Sequence, residues 1–124
     1  DAWARASTPG AKNGAAYVTI MNHGMKSDAL IGVVSDVSAK VELHSHKNDG
    51  GVMRMRRILS VPVPAHSVAE LEPGGDHIML IGLKRQLNVG DYIMLTLRFQ
   101  SGATEVLKVM VMKNSRTTKK KHIH

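Results

Sequence analysis

The stretch KVELHSH (residues 40–46), followed by NDGG (48–51) and VMRMRRI (52–58), decides the fold. Its residues alternate. Val41 and Leu43 fall on one face of an extended segment, and Lys40, Glu42, His44 and His46 fall on the other. A period of two is the mark of a half-buried strand. Asn48-Asp49-Gly50-Gly51 predicts a hairpin, because these residues accept the backbone that tight turns between antiparallel strands require. The return strand then folds Met53 and Met55 back beside His44 and His46.

The same pattern repeats outward. AAYVTI (15–20) favours a strand. Residues 29–34 form another, with Gly32 placed to mark a bulge. VPVP (61–64) reads as an extended edge, since proline cannot donate to a ladder. Residues 68–71, 77–83 and 103–112 are further strands. Residues 92–99 place Ile93, Leu95, Leu97 and Phe99 on one face. Turn signals at Asn22-His23-Gly24, Pro73-Gly74-Gly75, Asn88–Asp91 and Gln100–Gly102 separate them. Short strands, frequent turns and no helical period predict an all-β protein, an antiparallel β-sandwich or Greek-key barrel. Three segments are expected: an irregular N-terminal arm (1–14), a β-domain (15–113), and a basic tail (114–124) disordered without a partner.

The 124 residues, 43% hydrophobic, suffice for one domain with a modest packed core. Trp3, Tyr17, Tyr92 and Phe99 are its only aromatics, so aliphatic side chains and Met must fill the interior. No apolar run approaches the roughly 18 residues needed to span a bilayer. The absence of Cys excludes disulfides, a thiolate nucleophile, a zinc-thiolate site and a blue-copper electron-transfer centre. The net charge of +7 is concentrated towards the end, at Arg116, Lys119, Lys120 and Lys121. No aromatics are interleaved on a basic face, so nucleic-acid binding is not expected. A chain starting at Asp1 without a leader suits an exported protein whose signal has been removed, and equally a trimmed one.

His44, Met55, His77 and Met79 form the pattern H-x10-M-x21-H-x-M. Two imidazoles and two thioethers are a soft to borderline set that favours copper, above all Cu(I). Thioethers are neutral and need no deprotonation to ligate, whereas zinc or calcium would call for thiolates or carboxylates. His77 and Met79, two apart on a strand, share a face about 7 Å from one another. Each residue alone has a plainer reading. His44 could be an exposed strand histidine, Met53 and Met55 could both be core, and Met79 lies in a segment apolar on both faces. The combined spacing, which arises by chance in about two such chains per thousand, is what points to copper. His23, near Met21 and Met25, is a weaker soft cluster that reads as a surface loop, as does His66.

The chain from about Ala15 to Val111 resembles the PCu(A)C family of periplasmic copper chaperones. The motifs that carry the likeness are VELHSH (41–46), GGVMRMRRI (50–58), VPVPA (61–65), LEPGGDHIMLIGLKRQLNVGD (71–91) and LTLRF (95–99). The resemblance implies a cupredoxin-like β-barrel, monomeric and periplasmic, with Cu(I) held by His44, Met55, His77 and Met79. It implies delivery of copper to cytochrome c oxidase assembly, notably the binuclear copper centre of subunit II, alongside Sco-type thioredoxin-fold proteins. One departure stands out. Members of the family commonly carry Met two residues after the first His, and here that position is His46. An extra imidazole there either raises affinity for Cu(II) or is a neutral surface substitution, and His122 and His124 either fold back to join it or belong to a solvated tail. A copper-dependent redox enzyme and a metal-free interaction domain with a Met-rich core are the competing functional classes. An N-terminal histidine brace is excluded, because the first residue is Asp1.

Overall fold

The computed structural model describes residues 2–113. Among these are ten strands and no helix: β1 (Ala2–Arg5), β2 (Asn13–Asn22), β3 (Asp28–Ser35), β4 (Ser38–Asp49), β5 (Val52–Ile58), β6 (Val61–Val63), β7 (Ser67–Leu71), β8 (His77–Leu83), β9 (Tyr92–Phe99) and β10 (Thr104–Met112). The spatial order is β5-β4-β8-β2-β1-β10-β9-β3-β6, with β7 also paired to β2. β2 serves two neighbours in turn: its first half pairs with β8 and its second half with β7.

Side chains from nearly every strand meet in one interior. Leu30, Val33, Leu43, Ile78, Leu80, Ile93, Leu95, Leu97, Val109 and Val111 are all buried there. Val, Ile and Leu at alternate positions give each strand one apolar face, and burying that face is the main force closing the sheet on itself. The sheet does not close into a barrel. β5 and β6 remain its edges, and the prolines around β6 suit an edge. The register of β3 against β9 shifts between Leu30 and Gly32, where the lone glycine suggested a bulge. Gly50 and Gly51 have φ of +63° and +90°, the left-handed conformation that the β4–β5 turn demands.

Two expectations need correction. The sheet is mixed rather than purely antiparallel, because β1 runs parallel to β10 with Trp3 opposite Met110. The first fourteen residues are not an irregular arm, because β1 lies inside the sheet between β2 and β10. Four residues are too few to show a period. The segment becomes a strand because Trp3 and Ala4 are buried against neighbours from distant parts of the chain. The tail, 114–124, lies outside the described residues.

Candidate metal centre

β5, β4 and β8 lie side by side, and their registers decide which side chains meet. His44 of β4 is directly opposite His77 of β8, and Glu42 is opposite Met79. On the other side of β4, His46 is opposite Met55 and His44 is opposite Arg57. Paired residues point to the same side of a sheet. Leu43, Ile78 and Leu80 face the core, so alternation puts Glu42, His44, His46, Met55, His77 and Met79 on the outer face. Met55 is 48% exposed, which removes the reading of Met53 and Met55 as core.

The imidazoles are close. The His44 and His77 ring centroids are 5.9 Å apart, and His46 stacks on His77 at 5.2 Å. Hydrogen bonds set the two central rings. Nδ1 of His77 faces the Gly75 carbonyl at 3.2 Å and donates to it in the neutral tautomer, which leaves Nε2 with a bare lone pair. His44 Nε2 lies 3.0 Å from Glu42 Oε1, and donation there leaves Nδ1 bare. His44 Nδ1 is buried without a hydrogen-bond partner, a condition shared among the described residues only by Ser38 Oγ. An orphaned buried nitrogen is costly and calls for an explanation such as an ion.

Burial favours the neutral form of His77. Burial pushes the His77 pKa down, and the neighbouring His46 and His44 add to the effect, while the Gly75 carbonyl and Asp76 oppose it. A lowered value keeps the ring neutral, as a metal ligand must be. The hydrogen bond from His44 holds the Glu42 carboxyl below its ordinary value, with Arg57 and Lys40 contributing. A carboxylate bonded to the far nitrogen of a ligating histidine orients the ring and raises its basicity.

Next to β8, the Trp3 and Tyr17 rings lie 4.7 Å apart, tilted by 34°, and Tyr17 stands 6.4 Å from His77. Arg5 caps both rings, its guanidinium carbon 5.8 Å and 5.6 Å from their centroids. This wall belongs to the outer face and not to the core cluster. It shields the inner flank of the centre, while Met55 leaves the opposite flank open to solvent.

Sequence reasoning had assigned no role to Glu42 or to the aromatic wall. Glu42 was legible in principle, since it sits two residues before His44 on the same face. The wall was not, because it depends on the pairing of β1. Among the described residues no group of three or more His, Asp or Glu is arranged to hold a metal ion. His122 and His124 lie outside the described residues.

The fold is shared with known proteins. Residues 1–111 match the family model described as "Putative lipoprotein LpqE-like". The copper-bound PCuAC domain from PmoF2 superposes with a TM-score of 0.76 at 25% identity, covering 91% of this chain and 89% of that one. The solution structure of CuI-DR1885 from Deinococcus radiodurans gives a TM-score of 0.68 at 32% identity, covering 91% and 76%. The chain belongs to the PCu(A)C family, through its LpqE-like model, and the fold is the cupredoxin-like β fold of such domains. A relative in Leifsonia xyli subsp. xyli, "Putative lipoprotein Lxx21020", is 36% identical over 111 residues, 89% of this chain. The chain spans 55–66% of the length of the curated relatives it matches.

Proposed function

We propose that this protein is an exported copper carrier that binds Cu(I) through His44, Met55, His77 and Met79. It hands the ion to cytochrome c oxidase subunit II for the binuclear copper centre, alongside Sco-type proteins. The observation that carries the reading is the pair of facing imidazoles, each left with one bare nitrogen, one of them buried and orphaned. Met79 joins them as the neighbour of His77 two positions along β8. Met55, the rung partner of His46, would reach them from β5. Two solved domains of this fold contain copper or Cu(I) by name, and the lipoprotein description of the family suits export. No helix among the described residues is long and apolar enough to cross a membrane.

The donor set suits transport rather than catalysis. Neutral thioethers bind the closed-shell ion without a change of protonation, and an exposed Met55 can be replaced by an incoming ligand from a recipient. A second reading rests on His46, whose ring stacks on His77. His46 together with His122 and His124 of the tail would supply the nitrogen-rich set that suits Cu(II).

Competition against a colorimetric Cu(I) chelator tests the carrier reading. Met55→Ala and His77→Ala should each weaken Cu(I) binding at least tenfold. Affinities that stay within threefold of the parent would defeat it.

A further inference from the structure

We infer that the turn joining β2 to β3 and the loop preceding β7 form a second, independent Cu(I) site, made of His23, His66 and Met21. The sequence scatters these residues, and the fold gathers them. The last rungs between β2 and β7 are Met21 opposite Val68 and Asn22 opposite Ser67. One further step along the same register puts His23 across from His66. The His66 N–H donates to the Gly24 carbonyl at 3.3 Å, which ties the two loops together just beyond the final rung. Met21, His23 and His66 line the same open cavity of about 280 Å³, with Asn22, Ser67 and Val68 completing its wall.

The local backbone is held rather than loose. The Asn22 side chain donates to the carbonyls of Lys26 and Val63, both at 3.0 Å, and accepts from the Gly24 N–H at 2.9 Å. These bonds close the turn that carries His23 and fasten it to β6. His66 has φ of +54°, the one positive value among the described residues that are not glycine. Such a conformation costs energy in a residue with a side chain, and it clusters where a ligand is held.

The donors define the ion. Ile20 faces the core, so alternation sends Met21 to the outer side, where it is 62% exposed. Two imidazoles and a thioether, with no cysteine in the chain, favour Cu(I) over harder divalent ions. Ala15 on β2 lies beside Met79, and the strand runs seven residues further to Asn22. At about 3.3 Å per residue the two sites are roughly 20 Å apart, too far to share one ion.

The test is an anaerobic Cu(I) titration of the full chain against a colorimetric chelator. The parent should take up one equivalent more than the double variant His23→Gln/His66→Asn. Asparagine tolerates the left-handed backbone at position 66, so that variant removes the imidazole without adding strain. The double variant His44→Ala/His77→Ala should lose a different equivalent and keep the one assigned here. A His23/His66 variant in which every binding step stays within threefold of the parent overturns the second site, whatever the His44/His77 variant does. Any larger loss in one step supports it.

Discussion

At the scale of single residues, what matters is which imidazole nitrogen is bare. His77 is buried, so it resists protonation and titrates below the ordinary histidine value of about 6.5. In the unfolded chain it takes up a proton near that ordinary value. Its contribution to stability is therefore complete above about pH 6.5 and is lost as the pH falls towards the lowered folded value. Proton NMR of the ring should show a depressed midpoint, and the copper-free protein should lose stability in that window. A midpoint at or above 6.5 would contradict the burial argument. Glu42 acts through His44: Glu42→Gln leaves all four proposed donors in place yet should weaken Cu(I) binding roughly tenfold, the usual effect of removing a partner that orients a ligand. An unchanged affinity would leave Glu42 as a surface charge only. The four-residue pattern was legible in the sequence because strand alternation is strict and the hairpin turn fixes its register. Which nitrogen of each histidine is engaged was not legible, because it depends on contacts with Gly75 and Glu42 that exist only once β4 and β8 are paired.

Among the elements, β1 shows where sequence reasoning stops. Eight of the nine later strands begin and end within about two residues of where alternation and turn signals set them, as the boundaries of such readings allow; the exception, β4, runs on into the hairpin turn. β1 gave no such signal, since a four-residue strand is made by its neighbours. Trp3 joins it to β2 through Tyr17 and to β10 through the Met110 register. Trp3→Ala should cost about 3–5 kcal/mol, as truncation of a buried aromatic does, readable as a shift in the denaturant midpoint. A loss below about 1 kcal/mol would show that β1 is dispensable to the sheet. β4 behaves differently along its length. From Ser38 to Glu42 it pairs with β8 alone, at Leu43 and His44 with both neighbours, and from Ser45 to Asp49 with the edge strand β5 alone. Amides of 45–49 and 52–55 should therefore exchange with solvent faster than those of 78–80. Cu(I) should slow them, because ligation by Met55 would fasten the arm to β8.

For the molecule as a whole, the fold supplies a rigid interior on one side of the sheet and a set of soft donors on the other. Packing of Leu and Val holds β4 and β8 in register, while the edge position of β5 keeps one thioether within reach of solvent. Metal that binds only the folded state raises its stability, by about 2.7 kcal/mol at a hundredfold excess over the dissociation constant. Cu(I) should thus raise the melting temperature of the parent, and raise it less in Met55→Ala. An equal rise in both would place the bound ion elsewhere. The central claim is that two thioethers and two imidazoles from β4, β5 and β8 enclose one ion. X-ray absorption at the copper edge, on protein loaded with a single equivalent of Cu(I), tests it most directly. Two sulfur and two nitrogen scatterers at bonding distance are expected in the parent, with one sulfur lost in Met55→Ala. A first shell of nitrogen and oxygen alone would contradict it.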